Sequence, residues 1–338
     1  MKIIEMFNGT KNKILVTGGA GFIGSNFVNY LFNNILYDDM ETEIHVIDSL
    51  TYAGKWKNIS EWENHVRFTF TQLDITDRET LENFIFENNY THCVHFAAES
   101  HVDNSIKEPG KFINTNIVGT FNLLEIFKRK GIEKFIYIST DEVYGSIKNG
   151  SFTEESNLNP SSPYSASKAA GDLLINSFIK TYSFPGVIIR PCNNYGRNQN
   201  PEKLIPKTII SFLKDEKISV YGNGFYYRDW IFVNDTCKAI LSVLEKGETG
   251  EIYNISTGKE YNNQEIIFRI YEIIKTYKKV KSFNDSLNFV EDRPGHDFRY
   301  SMDSSKIKTL GWGPETDIQT GLELTVQYYI TEMKRGNL

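Results

Sequence analysis

Apolar positions fall along this chain in two rhythms, short solid runs and longer stretches of helical period. Lys13–Thr17 is a solid run of strand length, Gly21–Phe32 predicts a helix, and Glu43–Asp48 is a second strand ending in an acid. Val66–Thr71 and Thr91–Phe96 extend the strand series on either side of a helical stretch at Arg78–Asn88. Lys111–Arg129 places Ile113, Ile117, Phe121 and Leu124 at spacings of four, four and three, which predicts an amphipathic helix. A strand at Lys134–Ile138, a helix from Tyr164 to Tyr182 behind Pro163, and a strand at Gly186–Arg190 follow. Strands alternating with helices predict an α/β fold, a Rossmann-type doubly wound parallel sheet with right-handed crossovers. Ligands then belong at the carboxyl ends of its strands.

Beyond Arg190 the rhythm breaks. Residues 191–206 are rich in Asn, Gly and Pro, which predicts a loop and a boundary. Lys203–Leu213, Asp235–Glu245 and Asn263–Tyr277 predict helices, Ile231–Val233 and Glu251–Ile255 strands, and a polar stretch covers Ser282–Ser286. The expected organisation is an N-terminal extension over 1–12, a Rossmann domain over 13–190, and a smaller mixed α/β lobe over 191–338. Some segments of that lobe are free to return to the first sheet. Repeats and low-complexity tracts are absent.

Composition narrows the function classes. With 338 residues the chain can bury a large core without metal or disulfide staples. Its net charge of −6 is mild, and Lys and Arg are scattered, so nucleic acid and membrane surfaces are not expected partners. Residues 1–12 hold an apolar patch too short for a signal-peptide core, and no run approaches the ~18 apolar residues of a membrane span. Cys93, Cys192 and Cys237 suit neither a disulfide framework nor a metal site, and the six His lack ligand spacing. A reducing cytosol is the expected compartment, with no metal.

Gly18, Gly21 and Gly24 stand between the first strand and the first helix. Glycine lets the backbone turn tightly and approach a pyrophosphate, which the helix N-terminus then stabilises. Asp48 ends the second strand 24 residues after Gly24, where a carboxylate accepts hydrogen bonds from ribose hydroxyls and repels a 2′-phosphate. NAD is therefore expected over NADP. By position alone, Asp74-Ile75 and Phe96-Ala97-Ala98 flank the adenine and nicotinamide ends.

Tyr164 and Lys168 are four apart on one helix face, the spacing of a phenol base beside an ammonium, and that ammonium together with the nicotinamide positive charge is expected to favour the phenolate. Thr140 ends a strand, so its hydroxyl can bond the oxygen that Tyr164 deprotonates. Asp141 and Glu142 follow it. Adjacent residues of a strict strand point to opposite faces, so the two acids share a pocket only where the chain leaves the strand, as Val143-Tyr144-Gly145 suggests. Close carboxylates resist double ionisation and divide into one acid and one base.

These motifs, with Ala97–Asp103, Asn193-Asn194-Tyr195-Gly196, 201–206, Arg228-Asp229-Trp230 and Asp292–Asp297, make the chain resemble the extended short-chain dehydrogenases/reductases. Within them it is most similar to the nucleoside-diphosphate-sugar 4,6-dehydratases, from about Lys13 past Trp312. The resemblance implies a cycle on NAD: oxidation at sugar C4, loss of water across C5 and C6, and hydride return to C6. Tyr164, Thr140 and Lys168 would serve the oxidation, Glu142 would remove the C5 proton, and Asp141 would protonate the leaving hydroxyl. It further implies a cofactor set of Gly18, Gly21, Phe22, Ile23, Gly24, Asp48, Ser49, Leu50, Thr51, Asp74, Ile75, Phe96, Ala97, Ala98, Ser100, Thr115, Tyr164, Lys168 and Asn194. The implied substrate set is Ser100, Thr140, Asn193, Lys203, Leu204, Tyr221, Arg228, Asn263, Arg293 and His296.

The substrate implied first is dTDP-glucose, with UDP-glucose and UDP-N-acetylglucosamine as alternatives. Asn104 replaces an Arg typical of bacterial relatives, Pro191 precedes Cys192, and Arg197, Asn198 and Asn200 replace the residues that commonly flank Gln199. Base and sugar therefore stay open. A 4-epimerase or decarboxylase has no need of the acid pair, and a non-catalytic NAD-binding regulator has no need of the proton relay. The resemblance also implies a homodimer through Lys111–Arg129 and Tyr164–Tyr182, although an intramolecular contact explains the apolar stripe equally well.

Overall fold

The computed structural model describes residues 12–34 and 41–337. All of the expected N-terminal extension except Asn12 lies outside the described residues. Asn12 itself belongs to the sheet, where it is buried and its carbonyl accepts from Glu43 N at 2.9 Å.

Twelve strands are present among the described residues: β1 Lys13–Thr17, β2 Glu43–Asp48, β3 Phe68–Gln72, β4 His92–His95, β5 Lys134–Ile138, β6 Gly186–Pro191, β7 Asn193–Tyr195, β8 Ile218–Tyr221, β9 Tyr227–Phe232, β10 Ile252–Ile255, β11 Glu260–Asn262 and β12 Leu287–Val290. Seven form one parallel sheet in the order β10-β6-β5-β4-β1-β2-β3. Its strands are solid apolar runs because both faces are covered. Ile14, Val16, Val94 and Ile136 pack on one side, and Leu15, Cys93, Phe135 and Tyr137 on the other. The order reverses between β1 and β4, which opens a crevice at their carboxyl ends.

The expected strand at Glu251–Ile255 is β10, and it pairs with β6 in this sheet rather than with the smaller lobe. Elsewhere β11, β9 and β7 make a three-stranded sheet, and β12 and β8 a two-stranded one. β7 lies inside the expected loop over 191–206. Its Asn-Asn-Tyr sequence carries no strand signal, and pairing with β9 imposes the conformation. The expected strand at Ile231–Val233 runs instead from Tyr227 to Phe232, and Val233 opens the following helix.

The segment Lys111–Arg129 is helical but not uniform: Pro109–Phe112 leads into a π-turn over Ile113–Gly119 and then the α-helix Thr120–Lys130. The wider π-turn rotates the face that follows it. Phe112, Asn116, Leu123 and Phe127 therefore point inward, while Ile113 of the expected apolar stripe is 53% exposed. A final helix, Ile318–Lys334, packs on the smaller lobe. Among the described residues no helix is long and apolar enough to cross a membrane.

Candidate active site

The turn from β1 into the helix Phe22–Asn34 is built by glycines with different duties. Gly18 has φ +68°, and a Cβ there would stand 2.5 Å from Ala97 N; a Cβ on Gly24 would stand 2.4 Å from the Gly18 carbonyl oxygen. Both contacts lock the turn against β4 and against itself. A Cβ on Gly21 would meet only the Gly18 carbonyl, at 3.2 Å, and would project into the cleft. The cradle is thus shaped for close approach of a diphosphate to backbone. Gly18→Ala is expected to abolish dinucleotide binding and lower the melting temperature, because φ and space are both wrong; calorimetric titration with NAD and thermal unfolding measure the two effects.

At the next strand end Asp48 is buried, its Oδ2 accepting from Ala20 N at 3.0 Å and its Oδ1 from Leu50 N at 2.8 Å. Burial raises its pKa while bonds from the Leu50, Ala20 and Gly21 amides oppose the rise. A carboxylate held this way suits ribose hydroxyls. Of the residues assigned to the cofactor, Gly18, Gly21, Phe22, Ile23, Gly24, Asp48, Ser49, Thr51, Asp74, Ile75, Phe96, Ala97, Ala98, Ser100, Thr115, Tyr164 and Lys168 line this one cleft. Leu50 and Asn194 are not in that lining. Leu50 turns through φ +53° to pack on the core, and Asn194 lines a second cleft instead.

Thr140 leaves β5 and caps a short 3₁₀ turn, Asp141–Tyr144, accepting from Glu142 N at 3.3 Å. On this turn the charge of Glu142 is felt by Asp141, although only Glu142 lines the second cleft and Asp141 lines neither. Asp141 is 3% exposed, its Oδ1 accepts from the Thr140 hydroxyl at 3.1 Å, and its Oδ2 has no partner among the described residues. Burial, then the charge of Glu142, pushes Asp141 up to about 8. Glu142 is raised by burial too, but Arg293, Arg228 and Lys203 all act to lower it. Asp141 thus favours its protonated form at neutral pH, while three cations oppose the burial that raises Glu142.

The helix Pro163–Tyr182 begins with a capping box between Ser162 and Ser165, and this fixes Tyr164 in its first turn. Burial raises the Tyr164 phenol far above its ordinary value and Glu142 raises it further, against a hydrogen bond from the Thr140 side chain. Lys168 does not reach the phenol in the way its spacing suggests. Its Nζ donates to the Ile138 carbonyl at 2.7 Å and lies 4.1 Å over the Tyr137 ring. Without the nicotinamide charge the phenol is thus held neutral.

The second cleft gathers Glu142, Asn193, Asn194, Lys203, Leu204, Tyr221, Arg228, Asn263, Arg293 and His296. Ser100 and Thr140 of the expected substrate set do not line it. Lys203 joins the two clefts, donating to the Ser100 carbonyl at 2.8 Å. The guanidinium of Arg228 is spent on the carbonyls of Tyr227 at 2.7 Å, Asp297 at 2.8 Å and Phe298 at 3.3 Å. These bonds fix the guanidinium in place, and its charge acts to lower both Asp141 and Glu142. Arg293 faces Asp103 at 3.6 Å with its Nε unpartnered, and His296, pushed down to about 4 by burial, accepts no proton at neutral pH.

Residues outside the expected sets complete the site. Asn116, in the π-turn, accepts from Glu99 N at 2.8 Å and donates to the Glu99 carbonyl at 3.0 Å and to Ser167 at 2.8 Å, clamping the loop after β4 to the Tyr164 helix. An Asn on the inward face of an otherwise apolar helix is its only signal in the sequence. Gln199, 8% exposed, lines both clefts, donates to the Asn194 carbonyl at 2.8 Å and leaves its Oε1 unpartnered.

Known proteins resemble this chain over nearly its whole length. The model of the GDP-mannose 4,6 dehydratase family matches residues 15–325. The low-salt glycan biosynthesis protein of Haloferax volcanii is 46% identical, over 94% of this chain and 98% of that protein. The dTDP-glucose 4,6-dehydratase of Haemophilus influenzae is 44% identical, over 94% and 97%. The crystal structure of DesIV, a dTDP-glucose 4,6-dehydratase from Streptomyces venezuelae with NAD and TYD bound, matches with a TM-score of 0.90 at 41% identity, over 96% of this chain and 98% of that one. Similarity running nearly end to end, on one fold, is decisive: the chain belongs to the GDP-mannose 4,6 dehydratase family, within the extended short-chain dehydrogenases/reductases.

Proposed function

We propose that the protein is an NAD-dependent hydro-lyase that converts dTDP-glucose to dTDP-4-keto-6-deoxyglucose. The observation that carries this reading is the acid pair on one buried 3₁₀ turn, where burial and the charge of Glu142 push Asp141 up to about 8 while three cations oppose the burial that raises Glu142. Redox at C4 alone needs neither. The printed activities of the Haemophilus and Streptomyces relatives support the substrate.

The Gly18–Gly24 turn would hold the NAD pyrophosphate, and Asp48 the adenosine ribose. When bound, NAD supplies a hydride acceptor that gives the hydride back within the same turnover. Tyr164 takes the proton of the C4 hydroxyl, with the Thr140 hydroxyl sharing the oxygen. The C4 ketone acidifies C5, and Glu142 removes that proton. Asp141 gives its proton to the C6 hydroxyl, which leaves as water. Lys203, Asn193, Asn263, Arg293 and His296 face the diphosphate and nucleoside from the second cleft, and Arg228 steadies the charge on Glu142.

The first lobe, 13–190 with β10, carries the cofactor, and most of 191–338 carries the substrate. The working unit is a cytoplasmic homodimer through the helices Pro109–Lys130 and Pro163–Tyr182. Exposed apolar side chains on both helices, Ile113 and Val118 on one and Leu173 and Tyr182 on the other, support that face. Leu173→Glu is expected to halve the mass measured by light scattering; an unchanged mass excludes this face.

The function is tested by NMR of the product. Incubation with dTDP-glucose should yield a new C6 methyl doublet and no galactose or pentose. UDP-glucose and UDP-N-acetylglucosamine, run in parallel, should turn over more slowly. A product without a C6 methyl would indicate epimerase or decarboxylase chemistry, and NAD binding without turnover on any of the three would indicate a regulator.

A further inference from the structure

Asp172 lies one helical turn beyond Lys168, on the same face of the helix Pro163–Tyr182, and is fully buried. Its Oδ2 accepts from Arg190 Nε at 2.8 Å, and Arg190 donates through Nη1 to the Tyr144 hydroxyl at 2.6 Å. Tyr144 closes the 3₁₀ turn of Asp141 and Glu142 and donates in turn to Asn254 Oδ1 at 2.8 Å. The other carboxylate oxygen of Asp172 is buried and makes no hydrogen bond of good geometry among the described residues, although the Ser139 side chain lies near enough to favour the carboxylate. A pair serving stability alone gains little from burial, since well-packed apolar residues replace such pairs at no loss. A carboxylate with one oxygen left over has a second duty open to it.

We infer that Asp172 is a positioning residue for the reaction: paired with Arg190 and one helical turn from Lys168, it steadies the Lys168 ammonium and, through Arg190 and Tyr144, ties the helix of the base to the turn of the acid pair. The groups that face Lys168 leave it no other anion. From its own helix come Tyr164 and Asp172; from β5 the Ile138 carbonyl and the Tyr137 ring; from β4 His95, whose two ring nitrogens are engaged by the Thr17 and Thr120 hydroxyls; from β6 Arg190, behind Asp172. Burial pushes Lys168 down to about 7, and Asp172 is the charge that opposes the fall. Remove that charge and the amine is neutral at working pH. Tyr164, already disfavoured as phenolate by Glu142 and Asp141, then loses the cation one helical turn away.

Asp172 has this role only if Tyr164 is the base of the dehydratase reaction, so the test must separate the two. Glu142→Gln, with elimination blocked, isolates the first oxidation, which is read as reduced-cofactor absorbance after mixing with dTDP-glucose across neutral and alkaline pH. Adding Asp172→Asn with Arg190→Met removes both buried charges together. The alkaline limb of the rate is expected to fall by about 1–3 pH units, as a lost counter-charge at this range requires. Adding Arg190→Met alone leaves Asp172 wholly to Lys168, and the limb is expected to move to higher pH. This second variant also keeps the test alive should the first not fold. Opposite shifts cannot come from loosened packing, and coincident limbs overturn the inference. If instead the unchanged protein makes no 4-keto-6-deoxy sugar and Glu142→Gln reduces no cofactor, the dehydratase reading fails first.

Discussion

Tyr164→Phe is expected to stop the reaction before any cofactor is reduced, with kcat lowered by roughly 10²–10⁴-fold or more, the usual worth of a positioned acid–base group. The phenyl ring keeps its edge contact with Phe112, at 6.4 Å between centroids, so the helix start and the cleft wall persist. Only the oxygen is lost. That oxygen is the atom placed to share the C4 proton with Thr140, and no second phenol stands in the same turn. Burial already holds the group neutral without substrate, so deprotonation must coincide with transfer rather than precede it. Rapid mixing with dTDP-glucose should show no transient reduced-cofactor absorbance in the variant, while its melting temperature stays that of the unchanged protein. A transient of normal size would remove Tyr164 from the chemistry.

Much of this site is legible in the order of its amino acids. Residues 13–17 can only be a strand covered on both faces, and Gly18, Gly21 and Gly24 after them can only be a turn made for a ligand. The acid pair is legible as a conditional: Asp141 and Glu142 meet only where the strand ends, and the Thr140-capped 3₁₀ turn satisfies that condition. What stays hidden depends on contacts distant in sequence. Asn193–Tyr195 becomes a strand because Trp230–Phe232 lies beside it, and the direction of Lys168 is set by the Ile138 carbonyl across the sheet. The pairing of Asp172 with Arg190 spans 18 residues and links a helix to a strand, beyond any local pattern. Helical period fails from Ile113 for a local reason, since the π-turn begins there and breaks the 3.6-residue register along the stripe.

Asp141→Asn and Glu142→Gln should each remove the 4-keto-6-deoxy product while NAD remains bound, because each acts after the first oxidation. The pH response separates their roles. A general acid works only while it holds its proton, so with Asp141 at about 8 the turnover of the unchanged protein should fall as pH rises through that value. Asp141→Asn should lose both the activity and that limb. Stability has the opposite sign. A carboxyl whose folded pKa exceeds its unfolded value binds a proton more tightly when folded, so it costs the fold progressively more from about pH 4 up to about 8. Asparagine carries no such cost. Asp141→Asn should therefore unfold at a higher temperature than the unchanged protein at pH 8, with the gap closing toward pH 4, even though it is inactive at both. A protein that gains stability by losing one buried acid holds that acid for chemistry, and equal melting curves at pH 8 would mean that Asp141 is ionised and cannot be the proton donor.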